Sequence, residues 1–261
     1  MEAGFICCVR IVCSVDDVCT VQFRLITYNI HKGIGGVDRR YRLERIIETL
    51  ARYESDIILL QEVDDGVPRS RHDRQVDLLG DALDMPHRAF QRNVSLTQGY
   101  YGNAILSRYP LHDVHNVDLT VRPKKRRRAL VARCVMRTEH QRTIQLANCH
   151  LGLAGFERVI QLRRILESDV MRHLHHRTPA IVAGDYNDVW DSLGKRVMEP
   201  GGYSAAVKAA RTFPAIMPVR SLDRVYFRGD LRLDHGFPAR SEVARQASDH
   251  LPIVADFELT A

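Results

Sequence analysis

Ala247-Ser248-Asp249-His250-Leu251-Pro252, followed by the apolar run Ile253 to Leu259, is the stretch on which the reading of this chain turns. An Asp-His pair at a strand entrance says little alone. Here it is the last of several acidic, amide and imidazole clusters, each beside an apolar run. The others are Thr27-Tyr28-Asn29, Gln61-Glu62-Val63, Asn148-Cys149-His150, Gly184-Asp185-Tyr186-Asn187 and Leu222-Asp223-Arg224. Strands that end in Asn, Glu, His and Asp describe a site built along one rim of a sheet. Those residue types suit a hard cation and proton transfer, so an enzyme is expected.

Working outward, the apolar runs supply the frame. Val21 to Asn29 is β-prone and leads into Lys32-Gly33-Ile34-Gly35-Gly36. Leu43, Ile46, Ile47, Leu50 and Ala51 share one helical face. Ile57 to Leu60 is short and continuously apolar, as buried strands are. Val76, Leu79 and Leu83 predict a second helix. Ala104 to Leu106, then Leu130 to Val135 and Thr143 to Asn148, read as strands, the last two joined as a hairpin through Thr138 to Arg142. Phe156 to Leu174 carries the spacing of one long amphipathic helix. Ala180 to Ala183, Leu222 to Phe227 and Ile253 to Leu259 are further strands. Helices between strands early, and a hairpin in the middle, predict an α/β (α+β) domain with mixed sheets. No repeat or linker divides the chain, so residues 21–261 are expected to form one domain behind an atypical leading segment, residues 1–20.

Composition narrows the class. The chain has 261 residues, 45% of them hydrophobic, enough for a sizeable core. No run approaches the roughly 18 apolar residues that span a bilayer. Four of the six cysteines (Cys7, Cys8, Cys13, Cys19) fall in the leading segment, which Arg10 interrupts and which fits a signal peptide poorly. Cys134 and Cys149 sit in strand-like runs as small hydrophobes. No zinc spacing or disulfide framework appears, so a reducing, cytoplasmic setting is expected. Net charge is +6, which equals the six positive charges on Arg122, Lys124, Lys125, Arg126, Arg127 and Arg128. The protein is therefore not basic all over. It has one basic segment that could meet phosphate or lie solvated.

Each cluster has its own chemistry. Asp185 ends a buried strand and Asn187 projects on the same side two residues later, where carboxylate and amide could hold a water and a phosphoryl oxygen. Glu62 at the end of a buried strand is costly unless paired or bound to a cation, and Mg²⁺ needs only one or two protein carboxylates. A histidine oriented by a carboxylate is a general base near neutral pH, so Asp223 and His250 gain by combination. The glycines at 33, 35 and 36 lack the Lys-Ser/Thr ending of a nucleotide loop and are read as a tight turn near the site.

In order, these clusters resemble the endonuclease/exonuclease/phosphatase superfamily from about Phe23 to Leu259. The motifs that carry the likeness are Leu25 to Asn29, Leu60-Gln61-Glu62, Gly102-Asn103-Ala104-Ile105-Leu106-Ser107, His150-Leu151, Gly184 to Asn187, Leu222 to Tyr226 and Ser248 to Pro252. The resemblance implies a four-layered sandwich of two packed mixed β-sheets flanked by helices. It also implies hydrolysis of phosphate esters with Mg²⁺, Mn²⁺ being an alternative. It makes Glu62 the principal metal ligand, with Asn29 and Asp249 at or beside the metal. It gives Asp185 and Asn187 the water and phosphoryl group, His250 the catalytic imidazole oriented by Asp223, and His150 a second imidazole on phosphate. One of Arg126, Arg127 and Arg128, with Asn103, is expected to bind substrate phosphate. His250 is the expected base and Asp185 its rival.

Substrate is less legible. Tyr28-Asn29-Ile30-His31-Lys32-Gly33 departs from the Trp-Asn start of the abasic endonucleases, and the motifs of the inositol phosphatases are missing. A phospholipid headgroup or another small diester is expected, with contact at a membrane periphery. DNA is the alternative, on the basic segment, and a non-catalytic binding module is a remote third. Nothing signals an obligate protein partner, so a monomer is expected.

Overall fold

The computed structural model describes residues 10–13, 19–136 and 142–259. One sheet contains β1 (Arg10–Cys13), β2 (Cys19–Asn29), β3 (Ile57–Asp65), β4 (His87–Ser95) and β5 (Tyr100–Ser107). The other contains β6 (Leu111–Asp118), β7 (Arg128–Met136), β8 (Arg142–His150), β9 (Ala180–Asp185), β10 (Ser204–Ala205) and β11 (Asp223–Arg228). The chain then returns to the first sheet with β12 (Leu231–Pro238) and β13 (Ile253–Leu259). The strand orders are β12-β13-β2-β3-β5-β4, with β1 paired to β2, and β10-β11-β9-β8-β7-β6. Both sheets are mixed, because β2 runs parallel to β3 and β8 parallel to β9.

Period-two alternation puts the central strands between two apolar layers. Leu25, Leu59 and Ile105 of the first sheet meet Leu130, Leu146, Ile181 and Val225 of the second in a core between the sheets. The alternate residues Ile26, Ile58 and Leu60 face helices α1 (Leu43–Ala51) and α2 (Gln75–Ala82). Ala147, Val182 and Tyr186 face α3 (Gly155–Leu166) and Met171 of α4 (Asp169–Arg172). The result is the expected four-layered sandwich, helix–sheet–sheet–helix.

One reading changes. The long helix expected over Phe156 to Leu174 is broken. Ser168 is extended (φ −63°, ψ 151°) at the start of α4, and its hydroxyl donates to the Ile165 carbonyl at 2.7 Å. Serine favours such local bonding over helix interiors. Of the leading segment, Arg10–Cys13 pairs antiparallel with Cys19–Gln22. The rest of Met1 to Thr20, apart from the start of β2, lies outside the described residues, as does most of the Thr138 to Arg142 connection.

Polar side chains join the sheets below one rim. Gln61 Nε2 donates to Asn148 Oδ1 at 2.7 Å, and Asn148 Nδ2 donates to the carbonyls of Leu60 and Ala104, both at 2.8 Å. All four residues are buried, so these bonds fix the offset of the sheets with little competition from water.

Candidate active site

The rim is formed by the C-terminal ends of β2, β3, β8 and β9 and by the entrances to β11 and β13. β2 delivers Asn29, which is buried and whose carbonyl accepts from Ser248 Oγ at 2.7 Å. β3 delivers Glu62 through an irregularity: its register with β5 slips between Leu60 and Val63, and Glu62 takes φ +58°. A left-handed non-glycine residue costs on the order of 1–3 kcal/mol and persists only where its surroundings enforce it. Asn187, His31 and Lys32 at this rim share that backbone region. Lys32 turns back to place its ammonium on the Glu62 carboxylate. At Gly36 the backbone packs directly on Asp249, where a Cβ would lie 2.7 Å from the Asp249 Cα. The glycine-rich stretch is thus a turn against the site.

Asp185 is the focus. It is buried and accepts from Asn29 Nδ2 at 3.0 Å and from the Asn187 amide at 2.9 Å. His150 Nε2 approaches its Oδ2 to 3.5 Å and His250 Nε2 to 3.8 Å. His250 Nδ1 is 2.9 Å from Asp223 Oδ2, which also accepts from the Thr212 hydroxyl. The His250 amide donates to Ser248 Oγ at 3.2 Å. His150 Nδ1 lies 4.0 Å from Glu62 Oε1. Asn187 Nδ2 donates to the Leu151 carbonyl at 3.0 Å, and Asp249 Oδ1 sits 3.8 Å from His31 Nδ1.

These neighbours separate the protonation states. Burial pulls His250 down, but Asp223, Asp185 and Asp249 outweigh it and raise its pKa to about 10. Burial and the nearby Arg127 push His150 down to about 4, against the pull of Asp185 and Glu62. Burial raises Asp185, opposed by both imidazoles. Burial also works against ionised Glu62, yet His150, Lys32 and His31 hold it near about 2. At neutral pH His250 is a cation, His150 is neutral and Glu62 is charged.

Asp185, Asp223 and His250 place ligand atoms within 4.8 Å of one another. Both nitrogens of His250 already face carboxylates, so this trio reads as an ion-pair network. Glu62, Asn29 and Asp249 fit a hard cation better. They offer oxygen donors, and the Lys32 ammonium on Glu62 marks a place where positive charge is stabilised.

Beside Glu62 a cleft of about 710 Å³ opens, lined by Lys32, Arg69, Tyr101, Lys125, Arg126 and Arg127. Of the three candidate arginines, Arg127 acts electrostatically on both His150 and Tyr101. Arg126 also lines the cleft, whereas Arg128 donates to the Arg92 carbonyl at 3.2 Å. Asn103 is buried, and its Nδ2 donates to Gln91 Oε1 and the Arg128 carbonyl, both at 3.2 Å. It braces the start of β7 beneath the rim. Sequence reasoning missed Tyr101, which lines the cleft together with Glu62, although it adjoins the Gly102-Asn103 motif. It treated Lys32 as part of a turn. Arg69 and Thr212 carried no signal in the chain.

Residues 26–250 match the Endonuclease/Exonuclease/phosphatase family. The chain is 30% identical to the Escherichia coli K12 protein YbhP, itself uncharacterised, over 94% of this chain and 99% of that protein. An endonuclease/exonuclease/phosphatase structure from Beutenbergia cavernae superposes with a TM-score of 0.76 at 23% identity, covering 92% of this chain and 72% of that one. The structure of ANGEL2, a 2′,3′-cyclic phosphatase, superposes with a TM-score of 0.72 at 16% identity, covering 91% and 96%. At those identities the two structures establish the fold, and the family match extends from the strand that ends in Asn29 to His250. The chain belongs to the endonuclease/exonuclease/phosphatase family and is a hydrolase of phosphoester bonds.

Proposed function

We propose that the protein is a divalent-cation-dependent phosphodiesterase in which Asp185 activates the attacking water. The observation that carries this reading is the convergence of Asn29, Asn187, His150 and His250 on one buried carboxylate. Water attacks phosphorus in line, its proton passes to Asp185, and the phosphorus–oxygen bond to the leaving group breaks. His250 has a carboxylate beside each nitrogen and stays protonated, so its Nε2–H supports the phosphoryl oxygen as charge grows. This exchanges the roles expected of His250 and Asp185: an imidazolium cannot accept the water's proton. Neutral His150 donates or accepts one hydrogen bond at the phosphoryl group, and Asn187 orients the water. Asp223 orients the His250 ring and stabilises its imidazolium form, and Arg127 is positioned to meet substrate charge. Mg²⁺, or Mn²⁺, held by Glu62, Asn29 and Asp249, would neutralise the diester and stabilise the leaving oxygen.

A phospholipid headgroup or another small diester is the proposed substrate, handled by a monomer in the cytoplasm. ANGEL2, with a related fold, is a phosphatase of 2′,3′-cyclic phosphates, consistent with a small ester. The basic cleft favours one second reading, DNA, whose binding should weaken steeply with salt through counterion release. Purified protein should hydrolyse bis(p-nitrophenyl) phosphate with Mg²⁺ and lose that activity in EDTA. Turnover that survives EDTA, or is absent with every diester and with supercoiled plasmid, would refute the proposal.

A further inference from the structure

Large apolar side chains left in water gather at the same end of the sandwich as the site. Leu153, 77% exposed, lies three residues past His150. Trp190, 85% exposed, lies three past Asn187. Met217, 68% exposed, precedes Asp223 in the segment that is tied to the site, where Ala215 N donates to the Asp249 carbonyl at 2.7 Å and the Phe213 ring stands 5.0 Å from that of His250. Phe156, Ile216 and Val219 are exposed beside them. Each belongs to a loop or helix start next to a rim residue, and they come from three separate connections. A single connection could carry an exposed apolar residue by chance, as most surfaces do. Three connections around one mouth form a shared apolar crown.

The crown is paired with charge. Lys124, Lys125 and Arg127 line the same hollow as Gly152, Leu153 and Ala154, so the basic segment and an apolar tip stand side by side. Arg126 continues the basic strip toward the Glu62 cleft. Apolar tips that enter the interface, with lysine and arginine at headgroup level, are the means by which peripheral proteins hold anionic bilayers. Exposed tryptophan is suited to that depth. Nucleic acid would use the cations and leave Leu153, Trp190 and Met217 without a role. No helix among the described residues is long and apolar enough to cross a membrane, so contact of this kind would be superficial.

We infer that the catalytic mouth docks on an anionic lipid surface, with Leu153, Trp190 and Met217 as insertion points and Lys124 and Lys125 on the headgroups. The inference rests on the phosphodiesterase reading only for what is then cleaved; the docking stands on the surface itself.

Trp190 is the chain's single tryptophan, so its emission reports the crown directly. The test uses full-length wild type and the Asp185→Asn variant, with vesicles of phosphatidylcholine alone or with an equal share of phosphatidylglycerol. Both proteins should co-sediment with the anionic vesicles and not with the neutral ones, and Trp190 emission should shift to the blue. Cations near such a surface contribute about 1 kcal/mol each, so Lys124→Gln with Lys125→Gln should weaken binding about 25-fold. Leu153→Ser and Trp190→Ser should weaken sedimentation several-fold while turnover of soluble bis(p-nitrophenyl) phosphate stays at the wild-type rate. Absence of sedimentation on anionic vesicles overturns the inference. So does sedimentation with unchanged Trp190 emission, lipid-free dimerisation that buries Trp190, or tight DNA binding indifferent to the apolar variants. Turnover without vesicle binding would refute docking alone, and vesicle binding without turnover of any ester would refute the phosphodiesterase reading alone.

Discussion

The end of β8 and the loop entering β13 each bring one imidazole to Asp185, and the two imidazoles differ in charge at neutral pH. His150 and His250 are equally buried, each 5% exposed. Burial therefore cannot separate them. His250 has Asp223 at 2.9 Å on one nitrogen and Asp185 on the other. His150 also meets Asp185, at 3.5 Å, but its other nitrogen has Glu62 no nearer than 4.0 Å, and it shares its surroundings with Arg127. Partner placement, over a difference of about an ångström and one cation, sets a proton donor beside a neutral hydrogen-bonding group.

The largest effect should come from the carboxylate that both histidines face. Asp185→Asn keeps the shape of the side chain and removes the proton acceptor. Turnover should fall about 10³-fold, within the range for general-base loss, while the circular dichroism spectrum is retained. A loss under tenfold would return the base role to His250. Next, Asp223→Asn and His250→Gln should each lower turnover about 10²-fold, and the double variant should be hardly worse, because the two act as one unit. Multiplying effects would break the pair apart. His150→Gln should cost nearer tenfold, since a neutral amide replaces a neutral ring.

The pH responses should run in opposite senses. His250 is raised from 6.5 to about 10, so its contribution to stability is complete below pH 6.5 and is lost as pH climbs through 10. The alkaline limb of activity should follow the same proton and move to lower pH in Asp223→Asn. His150 is lowered from 6.5 to about 4, so its contribution is present above pH 6.5 and is lost as pH falls through 4. Ring resonances followed by NMR would show both titrations. A shared midpoint near 6.5 would erase the contrast. The smallest effect should be that of His150→Gln on melting temperature at neutral pH, whereas His250→Gln should lower it clearly because it strands Asp223 in a buried site.

Legibility in the chain followed burial. Ile57 to Leu60 and Ala180 to Ala183 are central strands, apolar on both faces, and could be read at once. Of the strands not anticipated, β4, β6, β10 and β12 are the edges of their sheets, and β1 lies off the main strand order beside β2. β6 reads Leu-His-Asp-Val-His-Asn-Val-Asp and is mostly exposed, so it carries no apolar signature, as edge strands that resist pairing commonly do not. At the site, residues at the ends of central strands were visible because polarity follows an apolar run. Asp185 and His150 are of this kind; Glu62, expected at a strand end, instead lies inside β3 at its register slip, where it still follows the apolar run. Arg69, Thr212 and Tyr101 reach the site from loops or from a strand start, where polar residues are ordinary. Charge state was also hidden, because a neighbour on another sheet decides it.

The last described strand, β13, lies in the middle of its sheet, between β12 and β2. During synthesis the earlier strands emerge first, yet β2 keeps an open flank and the segment carrying Asp249 and His250 has no anchor until Ile253–Leu259 has been made. A chain stopped short of that strand would carry Glu62, His150 and Asp185 on strands but leave His250 unanchored. The order of translation thus makes closure of the sheet and anchoring of the Asp249-His250 segment one and the same late step.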